Sequence, residues 1–245
     1  MLLFNLIEII VQNYNNTVII SADRNGSTAF VESIKKNKYY QTTEINLGEC
    51  FSQDYEDNPR YPYPPGSQNA EPRTDFWNEE LYKPSEVIDA INIGTGKQVI
   101  LKCLITWLNF NDHYFDIKSK RKIFLYRNMF ESSLSRCLAQ KNGTWQNDMS
   151  TDKHVIPEDF FISKLEFRIE RYSEFLDQIL NWTNEIVFYE TFKFKKNIVV
   201  KKNTDRINVI SNYNDLRKIY NRYKDTIDDI EKKINKKDQT LSLSN

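Results

Sequence analysis

The sequence has little of what cross-links a chain or binds metal. Cysteine occurs three times, as Cys50, Cys103 and Cys137. That is too few for a disulfide framework, and no pair has metal-ligand spacing. A stapled secreted fold and a zinc module are therefore not expected, and a reducing, cytoplasmic compartment is. Histidine is scarcer still, with His113 and His154 only. Net charge is lacking too, since 34 basic residues balance 34 acidic ones. No general nucleic-acid or anionic-membrane surface is expected, and any basic site must be local. Long apolar runs are missing as well. The stretch 1–11 is apolar but carries Glu8 and follows no basic segment, so it reads as a packed helix rather than a targeting signal or a span.

What is present is an alternation of buried-strand and helix patterns within 245 residues, a length that suits one α/β domain. Residues 17–22, 99–105, 122–126 and 185–189 are short β-branched or aromatic runs of the kind buried on both faces. Helical periodicity follows in Ala29, Phe30, Val31 and Ile34, then in Phe130, Leu134, Cys137 and Leu138. It returns in Phe161, Leu165, Ile169, Tyr172, Leu176 and Ile179, and again from Leu216 to Ile230. Strands alternating with helices predict a three-layer α/β/α architecture on a central parallel sheet. Residues 1–236 read as this single domain. Six of the seven prolines fall within the loop 57–85, which is expected to cover the acceptor site, and 237–245 reads as an unstructured polar tail.

The first strand runs into Asp23-Arg24-Asn25-Gly26-Ser27-Thr28 and then a helix. A loop of this kind aims backbone N–H groups and the positive helix end at one point. Gly26 permits a tight turn, Ser27 and Thr28 add hydroxyls, and Arg24 adds charge. The Walker pattern of a triphosphatase is absent. A hundred residues later Arg127 closes a strand, and Ser135 lies eight residues beyond it in the next helix. Both then face a phosphate lying over the sheet edge.

The two segments together resemble the PAPS-dependent sulfotransferases, nearest to the bacterial and phage nodulation-type branch. Arg24-Asn25-Gly26-Ser27-Thr28-Ala29 resembles that family's 5′-phosphosulfate loop, with Asn25 where serine is common. The strand–Arg127–helix–Ser135 element, followed by Arg136, Ala139 and Trp145, resembles its 3′-phosphate element. Tyr189-Glu190 is similar to a strand end at which the tyrosine approaches the nucleotide. The resemblance implies a P-loop nucleotide-binding-like fold and PAPS as donor, with no metal. It further implies a small-molecule or glycan acceptor hydroxyl, transfer by in-line displacement, and no nucleic-acid partner.

Proton removal from the acceptor needs a base. Leu47-Gly48-Glu49 follows the expected second strand and resembles the Gly-Glu element of the tyrosylprotein branch, which makes Glu49 the candidate, with His113 its rival. Lys102, a cation in an otherwise apolar strand, is the candidate for the bridging oxygen. The basic stretch 201–206 reads as a solvated charge run. Two other readings stay open: a nucleotide-binding module without catalysis, and a P-loop kinase or hydrolase.

Overall fold

A computed structural model describes residues 16–22, 25–34, 43–45, 99–105, 115–142, 153–194 and 209–243. They form an α/β fold. Five strands, β1 (Thr17–Ser21), β2 (Thr43–Ile45), β3 (Val99–Leu104), β4 (Arg121–Tyr126) and β5 (Glu185–Phe188), make one sheet in the order β2-β3-β1-β4-β5. Every described pairing is parallel. The central β1 has all five residues buried. That is why it reads as a continuous apolar run and not as an alternating one.

Strand alternation sorts the core into two faces. Val18 and Ile20 join Cys103, Phe124, Tyr126 and Ile186 in the larger cluster. Two helices packed there, α2 (Met129–Asn142) and α3 (Glu158–Trp182), supply Phe130, Leu134, Phe161, Leu165 and Tyr172. Ile19 instead joins Ile100, Ile123 and Leu125, beneath Phe30 and Val31 of α1 (Ser27–Ile34). Phe192 and Phe194 fold back beneath α1 after β5, with Phe192 edge-on to Phe30 at 4.8 Å. Helices therefore cover both faces, and α1 leaves β1 on the face opposite to the one α2 takes from β4.

The amphipathic stripe read over 216–230 is carried by two helices, α4 (Tyr213–Asn221) and α5 (Lys224–Leu243). At the break, the amides of Arg222 and Tyr223 reach back only three residues, to Ile219 and Tyr220. That tightened turn redirects the chain. The stretch from 237 on, expected to be an unstructured tail, is helical through Leu243. Ile234 is fully buried, and Leu241, two turns later, still packs against the larger cluster, so the apolar stripe holds the last turns in place. The stretch 1–11, the loop 57–85 and the basic stretch 201–206 lie outside the described residues.

Candidate functional site

In open α/β sheets, ligands bind beyond the carboxyl ends of strands where adjacent connections depart to opposite faces. Here that point lies between β1 and β4, and Gly26, Arg127 and Tyr189 come together beside it. After β1 the chain turns with the Asn25 amide donating to the Ala22 carbonyl at 3.3 Å. Gly26 follows with φ +75°, a left-handed conformation that side chains other than glycine's resist. Its carbonyl accepts the first bond of α1, from the Phe30 amide at 2.9 Å. The remaining amides at the start of the helix therefore point out over the sheet edge.

Gly26 is required for a second reason. A Cβ at this position would run into the ring of Tyr189, which caps β5. Tyr189 is held by its own amide, which donates to the Tyr126 carbonyl at 2.8 Å, and its ring lies tilted against that of Phe194 with centroids 5.0 Å apart. Over the same ring lies the guanidinium of Arg127, 4.2 Å from the centroid. Two candidate anchors that are distant in sequence thus share one aromatic platform.

Asn25 plays a part that its position in the motif does not suggest. Its side chain is fully buried and points inward. Nδ2 donates to the Leu125 carbonyl at 3.1 Å and to the Tyr172 hydroxyl at 3.3 Å. The loop is thereby pinned to β4 two residues before Arg127, and to α3. The Asn25 side chain thus pins the loop from within and is not turned outward.

Arg127 is 3% exposed. Burial depresses its pKa, while Tyr189, Glu190 and Glu131 raise it and Arg168 lowers it further. It remains a cation at any physiological pH. Asn128 organises the helix that follows: its Oδ1 accepts from the Phe130 and Glu131 amides at 3.1 and 3.3 Å, an N-cap, while its own amide donates to Glu190 Oε1 at 3.1 Å. Ser135 is buried in α2, one turn beyond Glu131 on the same side of the helix.

Lys102 is 8% exposed and stands opposite Ile19, two residues before the end of β3. Alternation with Ile100 puts it on the α1 side of the sheet. Ser27 opens α1 and is buried, Ala29 is half-buried in its first turn, and Thr28 lies between them. Arg24, Glu49 and His113 lie outside the described residues.

Two buried charged residues of the site escaped the sequence reading. Arg168 and Glu131 are 2% and 4% exposed, and Glu131 Oε1 accepts the Tyr213 hydroxyl at 3.1 Å. The signal for Arg168 was its spacing, since it falls between Leu165 and Tyr172 on the core-facing stripe of α3. Among the described residues, no group of three or more His, Cys, Asp or Glu is placed to hold a metal, and no helix is long and apolar enough to cross a membrane. Compared with known proteins, the chain matches no family model, no curated protein and no solved structure.

Proposed function

We propose that the chain is a sulfotransferase that moves a sulfuryl group from PAPS to an acceptor hydroxyl on a small molecule or glycan. The observation that carries this reading is the pairing of a glycine loop and a buried arginine on one tyrosine ring, at the switch point of a parallel sheet. In this reading the amides of residues 26–28, with Arg24, hold the 5′-phosphosulfate. Arg127 and Ser135 hold the 3′-phosphate, and Tyr189 flanks the nucleotide. The acceptor oxygen attacks sulfur as the bond from sulfur to the bridging oxygen breaks, and adenosine 3′,5′-bisphosphate departs. Glu49 takes the acceptor proton, and Lys102 offsets charge developing on the bridging oxygen. A cytoplasmic location belongs to the same reading, because the donor is a soluble nucleotide and the three cysteines are too few for a disulfide framework.

The test is transfer itself. Purified protein is incubated with PAPS and a panel of hydroxyl acceptors, and products are read by mass spectrometry for the gain of one sulfuryl group. Glu49→Gln should keep affinity for adenosine 3′,5′-bisphosphate while turnover falls about 10²- to 10⁴-fold. If His113→Asn abolishes turnover and Glu49→Gln does not, the base is His113. If the protein binds ATP in preference to the bisphosphate, the donor is wrong.

A further inference from the structure

Tyr126 closes β4 and stands immediately before Arg127. Its ring is buried at the centre of an aromatic group, with centroids 5.8 Å from Tyr172 and 6.1 Å from Phe188. Both neighbours lead to the candidate site, since the Tyr172 hydroxyl accepts from Asn25 of the loop and Phe188 precedes Tyr189. The Tyr126 carbonyl takes the Tyr189 amide as well. Phenylalanine would fill the same space, and a buried hydroxyl is costly unless it is paired. The tyrosine is paired across 105 residues: its hydroxyl donates to Glu231 Oε1 of α5 at 2.7 Å. Such a charge-assisted bond is directional, so it fixes the ring more tightly than apolar packing does.

The residue on the other side of Arg127 is tied to the same pair of C-terminal helices. Asn128 gives its Oδ1 to the Phe130 and Glu131 amides, and its side chain also hydrogen-bonds the hydroxyl of Tyr220, which is buried on α4. The Glu231 carboxylate acts on Tyr220 as well as on Tyr126, so it lies near both hydroxyls. It is half-buried beside Ile227, Ile230 and Ile234, the stripe that seats α5. Arg127 thus sits between two residues whose side chains are anchored to α5 and α4, with Glu231 common to both.

We propose that Glu231 is a positioning residue for the anion site: through the Tyr126 hydroxyl it holds the end of β4 in the conformation that keeps Arg127 over the Tyr189 ring. It acts through Tyr126 and not by contact with a ligand. The proposal rests on the reading of Arg127 as a contact of the donor nucleotide, and it makes that contact depend on the C-terminal helix.

The experiment follows Arg127 directly. In proton–nitrogen spectra of the full chain without nucleotide, the Arg127 Nε signal, assigned by its loss in Arg127→Lys, should be displaced by the ring current of Tyr189. Tyr126→Phe removes the hydroxyl and keeps the ring, Glu231→Ala removes the acceptor, and Glu231→Gln keeps an oxygen that accepts. The first two should move the Arg127 signal and weaken affinity for adenosine 3′,5′-bisphosphate about 3- to 30-fold, and Glu231→Gln should restore both at least in part. If Tyr126→Phe and Glu231→Ala leave the signal in place, or if Glu231→Gln behaves as Glu231→Ala does, the proposal is overturned. A moved signal with unchanged affinity overturns it too. Should Glu231→Ala fail to fold, Tyr126→Phe decides, because it removes one hydroxyl together with its need for a partner. If the full chain binds no adenosine 3′,5′-bisphosphate, the donor reading fails, and the Arg127 signal alone decides whether Glu231 positions that side chain.

Discussion

The Arg127 guanidinium lies 4.2 Å from the centroid of the Tyr189 ring, and that ring is the one against which Gly26 closes. A cation leaving β4 and a loop leaving β1 are thus held in fixed relation by a residue that caps β5. Because Arg127 is buried, an anion at this point meets a desolvated, planar donor rather than a mobile surface charge.

Loss of that donor should be felt mainly in binding. Arg127→Ala should weaken affinity for adenosine 3′,5′-bisphosphate by about 2 to 4 kcal/mol. Arg127→Lys should recover only part, since an ammonium cannot present the planar fork or stack on Tyr189 in the same way. Calorimetry decides, and unchanged affinity in Arg127→Ala would remove Arg127 from the site.

Gly26→Ala tests the loop conformation. The new methyl group meets the Tyr189 ring, and φ of +75° is itself unfavourable for alanine. Together these should destabilise the fold by about 1 to 3 kcal/mol and weaken nucleotide binding. Adding Tyr189→Ala should relieve the clash but leave the backbone strain, so the double variant should recover stability only in part. Chemical denaturation of the four proteins gives the comparison. Full recovery would mean that the positive φ costs nothing.

The Asn25 and Tyr172 bond should appear as coupling. Asn25→Ala leaves the Leu125 carbonyl and the Tyr172 hydroxyl without this donor, at an expected cost of about 1 to 3 kcal/mol. Tyr172→Phe should cost less, because one hydroxyl is removed with its need for a partner. A double-mutant cycle should return a coupling of about 0.5 to 1.5 kcal/mol. Strict additivity would mean that the two side chains do not interact in solution.

Much of this arrangement was legible in the chain because it is local. The apolar runs at 18–20 and 123–126 mark strands buried on both faces, and the spacing of Phe161, Leu165 and Tyr172 marks a helix stripe. The inward turn of Asn25 was not legible, since its partners lie 100 and 147 residues away. Arg168 was hidden for a related reason: a charge at a core position is informative only when the groups facing it are known. The turn at Arg222 and Tyr223 carries no proline or glycine to announce it, and the helical final turns depend on Leu241 finding the core. Each of these was decided by tertiary packing over local propensity.

Alkaline pH should unfold the protein through groups buried on the α2 and α3 side of the sheet. Burial pushes the Cys137 thiol from 9.0 up to about 11. It pushes Tyr220 from 10.0 up to about 12, with the nearby Glu231 carboxylate adding to the effect. Tyr126 is raised well above its usual value, first by burial and then by Glu231, whose Oε1 accepts its hydroxyl at 2.7 Å. In each case the folded state holds its proton more tightly than the unfolded chain does. The associated stability is therefore fully present below the unfolded pKa and is lost as pH rises through the folded one. For Cys137 the loss runs from pH 9.0 to about 11, and for Tyr220 from pH 10.0 to about 12. The Cys137 contribution alone amounts to roughly 3 kcal/mol at most. Denaturant midpoints should stay level up to about pH 9 and then fall steadily, and Cys137→Val should flatten the first part of that fall. Tyrosinate absorbance followed in parallel should show Tyr126 and Tyr220 ionising only as the fold is lost. Full ionisation of every tyrosine near pH 10 in a protein that keeps its melting transition would contradict the burial of Tyr126 beneath α5.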